Sequence, residues 1–127
     1  MGILLYLSFI VPIYNGEQYY ERMISQIQAA KLNSDAQVEL IFVNDNPCKT
    51  IEICTENDDI TIHTMETDIN TGIQGARVRG LAYASGEYVV FLDQDDKIEK
   101  NYLLTQLCAI GNADFVVCQG YDEEKLI

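Results

Sequence analysis

Tyr88-Val-Val-Phe-Leu-Asp-Gln-Asp-Asp96 passes from a purely apolar run into an acidic loop within nine positions. A continuous apolar run is the pattern of a strand buried on both faces, as parallel sheets require. It predicts a strand over 88–92 and a loop over 93–96. Upstream, Ile73, Ala76, Gly80, Leu81 and Ala84 share one side of a helix over 73–84, and Gly86 is placed to end it. Gly80 would weaken that helix by about 1 kcal/mol relative to Ala unless close packing needs the missing side chain. Downstream, a helix over 98–110 and a last strand over 115–118 are expected, followed by polar residues.

The same unit recurs towards the N-terminus. Leu4 to Val11 reads as a buried strand that ends in the loop chemistry of Pro12-Ile13-Tyr14-Asn15-Gly16. Asn15 and Gln18 have capping-box spacing for a helix with Tyr20, Met23, Ile24, Ile27 and Ala30 on its apolar face, stopping near Asn33. Val38 to Val43 is a second buried strand, and Asn44-Asp45-Asn46-Pro47 a turn. A short helix is expected between Thr50 and Asn57, a weaker strand over 60–63 and a loop over 67–72. The order βαβαβαβαβ implies an α/β fold: one mostly parallel sheet with helices on both faces and right-handed crossovers.

The chain has 127 residues, the size of a single domain, here expected over 1–127. Apolar residues are 48% and charged residues 22%, an ordinary globular balance. Eight Lys and Arg against twenty Asp and Glu give a net charge of −12. Such a chain lacks the basic stripe that grips phosphates, so nucleic acid is not an expected partner. A phosphorylated ligand would instead call for a divalent cation. Cys48, Cys54, Cys108 and Cys118 have no metal or redox spacing and read as reduced, mostly buried thiols of a cytoplasmic protein. The apolar N-terminal run lacks a basic flank and is too short to span a bilayer.

In an open α/β sheet, ligands bind outside the carboxyl ends of the strands. Pro12, Tyr14 and Asn15 follow the first strand, Asn44 and Asp45 the second, Asp68, Asn70 and Gly72 the third, and Asp93, Asp95 and Asp96 the fourth. No G-x-G-x-x-G or P-loop glycine pattern is present. Two readings of Asp-Gln-Asp-Asp stand side by side. Asp96 with Glu99 has capping-box spacing for the next helix. Alternatively, Asp93 and Asp95 lie on one side of an extended chain, as hard oxygen ligands for Mg²⁺ or Mn²⁺, with a substrate diphosphate completing the shell.

Several blocks, in order, resemble the family 2 glycosyltransferases. Phe9-Ile-Val-Pro-Ile-Tyr-Asn15 is similar to that family's first strand and V-P-x-Y-N turn. Glu39-Leu-Ile-Phe-Val-Asn-Asp45 is similar to its second strand. Asn70-Thr-Gly72, Ala76-Arg77, Gly80, Ala84 and Gly86-Glu87-Tyr88 resemble its N-x-G…A-R-N-x-G…A-x-G-E-Y block, and Phe91-Leu-Asp-Gln-Asp-Asp96 its F-L-D-x-D-D motif. Asn46-Pro47-Cys48 departs from the usual G-S after Asp45, and Val78 stands where Asn is common.

The resemblance implies a Rossmann-like GT-A nucleotide-diphospho-sugar transferase fold, C-terminally truncated relative to the family. It implies transfer of a sugar from a nucleotide diphosphate sugar, a UDP-sugar first, to a hydroxyl of a glycan or other acceptor. Pro12, Tyr14, Asn15 and Asp45 would line the nucleotide pocket, Asn70 and Arg77 would lie near ribose and diphosphate, and Asp93 would face the ribose or a metal water. Asp93 and Asp95 would hold Mn²⁺ or Mg²⁺. The acceptor half and the general base are expected outside this chain, so that the fragment binds donor but transfers little. Asp114 and the acids Asp122, Glu123 and Glu124 are poor candidates for that base. The implied location is cytoplasmic, at the inner membrane face for the full-length enzyme, and a homodimer through the truncated face is a further expectation. A non-catalytic binding or assembly domain of the same fold is the alternative. A nucleotidyltransferase would need a basic glycine-rich loop after the first strand, which is absent.

Overall fold

The computed structural model describes residues 6–67 and 69–116. Among these, the strands are β1 (Tyr6–Ile13), β2 (Gln37–Asn44), β3 (Thr61–Met65) and β4 (Tyr88–Phe91). The helices are α1 (Tyr20–Leu32), α2 (Gly72–Tyr83) and α3 (Tyr102–Ile110), and a 3₁₀ turn (Glu17–Tyr19) leads into α1. The four strands form one parallel sheet in the order β3-β2-β1-β4. The direction of winding reverses between β1 and β4, so the crevice for a ligand lies at the carboxyl ends of that pair.

Alternation along the strands divides the core between two faces. Phe9, Val11, Leu40, Phe42 and Ile62 face α1, whose Met23, Ile27 and Ala30 are buried against them, and Leu103 of α3 joins this cluster. Ile10, Ile41 and Val43 point the other way, onto Ala76 of α2. Both faces are covered, which is why β1 and β2 read as apolar runs, broken by Ser8 and Glu39. α2 lies close to the sheet because Gly80 has no side chain: a Cβ there would come within 2.4 Å of Ile10 Cγ2. Close packing thus accounts for the glycine in mid-helix.

Several expectations are corrected. The stretch 50–57 is not helical. Ile51 and Ile53 both pack on the α1-side core, a spacing of two that extended chain satisfies. The Ile51 N–H donates to Glu66 Oε1, and Asn57 Oδ1 caps the N–H groups of Asp59 and Ile60. Asn15 does not cap a helix: its φ is 51°, and no side chain caps the turn or α1. Gly86 is not a left-handed helix terminator, since Ala84 ends α2 in an extended conformation. Glycine is needed at 86 because a Cβ would lie 2.8 Å from the Ser8 nitrogen.

Ile73 and Leu81 are exposed, and only Ala76 and Gly80 of α2 are buried. α3 begins at Tyr102 rather than 98, and Phe115 and Val116 are not in a strand. The rest of that expected strand lies outside the described residues, as do Cys118, Asp68, Asp122, Glu123 and Glu124. Cys48, Cys54 and Cys108 are free but exposed, not buried. They sit in the 46–57 connection and on the outer side of α3, away from both core layers.

Candidate functional site

A cavity of about 390 Å³ opens at the carboxyl ends of the strands, within the range of small-ligand pockets. Pro12, Ile13 and Tyr14 line it from the end of β1, and Asp45 from the end of β2. Asn70, Gly72 and Ile73 close it at the head of α2, and Asp93, Gln94 and Asp95 follow β4. Seven of the residues singled out from sequence (Pro12, Tyr14, Asp45, Asn70, Gly72, Asp93 and Asp95) therefore line one cavity.

Asp45 is 6% exposed, and its Oδ1 accepts from the Thr71 N–H at 2.8 Å and the Thr71 hydroxyl at 2.9 Å. Both bonds fall on one oxygen. The Asx turns of this loop belong to its neighbours: Asn44 Oδ1 accepts from the Asn46 N–H, and Asn46 Oδ1 from the Cys48 N–H. Asn44 also donates to the Lys49 carbonyl and to Glu66. These amides hold the Asn-Pro-Cys loop in place of a glycine turn.

Tyr14 is 49% exposed and lines the cavity. Asn15 lies outside the cavity lining. It occupies the left-handed region that Asn tolerates, and its Oδ1 accepts from Asn46 Nδ2 at 2.7 Å. It thereby ties the β1 loop to the β2 loop. Asn70 Oδ1 accepts from the Gly72 N–H at 2.9 Å, and Gly72 has φ 77°, which explains glycine at the first position of α2.

Asp93 pairs with Arg77, Nη2 to Oδ1 at 3.2 Å. Arg77 is not among the lining residues, and its guanidinium lies 5.9 Å from the Phe91 ring centre. Its Nε is buried without a partner among the described residues. Asp96 does not cap α3. Its Oδ2 accepts from the Asp93 N–H at 2.8 Å, while its own N–H donates to the Asp93 carbonyl, closing the 93–96 turn. Burial pushes the Asp96 carboxyl above the ordinary range; the Asp93 N–H opposes this, and the Asp93 and Asp95 charges add to it. The cap reading therefore fails for Asp96. Among the described residues, no hydrogen bond or ion pair engages the exposed Asp95 carboxylate.

Sequence reasoning missed the residues that hold this loop. Arg22 of α1 donates to the Asp95 carbonyl at 2.9 Å. Gln26 donates to the Asp96 carbonyl and accepts from the Ile98 N–H. Gln94 bonds both the N–H and the carbonyl of Tyr14. These side chains bind main chain, which leaves no periodic trace in sequence. Their effect is to fix the loop through its backbone and leave Asp95 facing the cavity.

The family model described as "Glycosyl transferase family 2" matches residues 8–125. The chain belongs to this family. Glycosyltransferase GlyA of Streptococcus pneumoniae serotype 4 is 34% identical over 101 residues, which are 78% of this chain and 14% of that protein. An uncharacterized glycosyltransferase of Haemophilus influenzae is 33% identical over 123 residues, 88% of this chain and 48% of that protein. The chain thus spans less than half the length of these relatives. The crystal structure of S. aureus TarS 1-349 in complex with UDP superposes with a TM-score of 0.66 at 25% identity, covering 85% of this chain and 32% of that one. The GT-A-type α/β fold expected from sequence is therefore present. Among the described residues, no helix is long and apolar enough to cross a membrane.

Proposed function

We propose that this chain is the donor-binding part of a glycosyltransferase that moves a sugar from a UDP-sugar to an acceptor hydroxyl with the help of Mn²⁺ or Mg²⁺. The observation that carries the proposal is the cavity at the β1/β4 switch point, which gathers an aromatic ring (Tyr14), a buried carboxylate (Asp45) and two acids (Asp93 and Asp95). The UDP bound to a similarly folded neighbour supports the choice of nucleotide.

In this reading the uracil lies by Pro12 and Tyr14, and Asp45 accepts its N–H through the oxygen that Thr71 does not occupy. Asn70 lies by the ribose. Arg77 supports the diphosphate side by holding Asp93. Among the described residues, no group of three or more His, Cys, Asp or Glu side chains is poised around a common point for a metal. Two carboxylates suffice only if diphosphate oxygens and water complete the shell, which suits a hard cation that keeps several waters. Such a cation neutralises charge on the diphosphate as it leaves. Acceptor binding and proton removal from the acceptor hydroxyl are proposed for the whole protein. Asp114 is exposed beyond the end of α3 and has no part in the cavity.

Isothermal titration with UDP tests this. Binding in the presence of Mn²⁺ that weakens at least tenfold with EDTA is expected. No heat at millimolar UDP from folded protein contradicts it.

A further inference from the structure

We propose that Gln94 is a positioning residue of the nucleotide site, setting the distance between the base side and the diphosphate side of the cavity. The inference rests on the nucleotide reading above. The two sides belong to loops 80 residues apart in sequence, after β1 and after β4. The strands' pairing ends where the Leu92 N–H donates to the Ile10 carbonyl at 3.1 Å. Beyond that point, among the described residues, the Gln94 amide alone hydrogen-bonds one loop to the other. Its Oε1 accepts from the Tyr14 N–H at 3.0 Å and its Nε2 donates to the Tyr14 carbonyl at 3.2 Å.

Two antiparallel bonds between a planar amide and one residue's main chain fix orientation as well as distance. Gln94 sits between Asp93 and Asp95, so any tilt of the clamp moves both acids relative to the Tyr14 ring. Gly16 makes room for it. A Cβ at 16 would lie 2.3 Å from Gln94 Oε1 and 3.0 Å from its Cδ. Gly16 has φ −101°, a conformation open to any residue, so space for the Gln94 amide and not backbone freedom accounts for this glycine. A ligand that reaches both loops at once gains from this fixed spacing, because disorder between its two contact regions is removed before binding.

The test is a double-mutant cycle on the 127-residue chain, with UDP and Mn²⁺ as the titrated ligand. Gln94→Ala and Gly16→Ala should each weaken UDP binding about tenfold. The double variant should be little weaker than either single one, since once the amide is gone a methyl at 16 meets only Ile13 Cγ2, at 3.3 Å, which yields by a few tenths of an ångström. Amide hydrogen exchange at Tyr14 should speed up in both single variants while the unfolding midpoint stays in place. That pairing separates positioning from general destabilisation. Unchanged UDP affinity in Gln94→Ala, or single losses that multiply to about a hundredfold in the double variant, overturns the proposal. A wild-type chain that shows the Tyr14 protection yet binds no UDP overturns the nucleotide reading, and the positioning role with it.

Discussion

The two ends of the sheet each collect polar side chains and treat them in opposite ways. At the carboxyl end, Asp45, Asp93 and Asp95 line an open cavity, and their loops are held through main-chain groups. At the amino end, Glu39 of β2 is 1% exposed and saturated. It accepts from the Ser8 hydroxyl, from the Ser85 N–H at 2.7 Å and from the Ser85 hydroxyl at 2.8 Å, and lies 3.3 Å from His63 Nε2. His63 Nδ1 in turn meets the Tyr83 hydroxyl, and the Gly86 N–H donates to Ser8 Oγ. This network joins β1, β2, β3 and the end of α2. A carboxylate whose partners all come from its own chain stiffens the fold, whereas one with unused oxygens facing a cavity can take a ligand. The comparison separates a structural lock from a binding rim on one sheet.

Breaking the lock should give the largest change in stability. Glu39→Ala strands the buried Ser8 hydroxyl and takes the shared acceptor away from Ser85, and is expected to cost about 3 kcal/mol. Urea unfolding measures this. Gly86→Ala drives a methyl against the Ser8 backbone and should cost about 1–3 kcal/mol by the same assay.

Acid attacks the same group. Desolvation raises the Glu39 carboxyl, but the bonds from Ser8 and Ser85 and the nearby His63 outweigh it, so its value in the fold lies below the ordinary 4.5. With the folded value depressed, the Glu39 contribution is present above about pH 4.5 and is lost as pH falls through the folded value. A pH series of unfolding midpoints should show this loss in wild type, and a flatter profile over the same window in Glu39→Ala.

The rim should respond the other way round. Asp95→Ala removes an exposed carboxylate and should shift stability by no more than about 0.5 kcal/mol. It should nevertheless abolish metal-dependent UDP binding in calorimetry. Loss of fold in that variant would move Asp95 to the structural side of the comparison.

The rim was more legible in sequence than the lock. β1, β2 and β4 stand out as mostly apolar runs, although only β1 and β2 are buried on both faces and edge strand β4 is half-buried with Phe91 exposed. The rule that ligands sit at carboxyl ends then places Pro12, Tyr14, Asp45, Asn70, Asp93 and Asp95 together. Helix signals misled where spacing was short. Ile51 and Ile53 serve an extended segment, and the capping candidates Asn15 and Asp96 make loop bonds instead. Glu39 lies inside Val38-Glu-Leu-Ile-Phe-Val43, a run whose pattern is that of a strand. A charge in the midst of such a run is itself a signal, because a buried carboxylate requires partners. Gln94, Thr71, Arg22 and Gln26 act through partners distant in sequence, which spacing alone does not reveal.

Paramagnetic broadening by Mn²⁺ tests the central claim most directly, because it reads both ends of the sheet in one NMR experiment. With UDP present and a small fraction of Mn²⁺ added, the amide signals of Tyr14, Asp45 and Asp93 to Asp95 should broaden while those of Ser8, Glu39 and Ser85 stay sharp. Broadening centred on Glu39, or broadening at the rim that is the same without UDP, would contradict a diphosphate-assisted cation site between Tyr14 and Asp95.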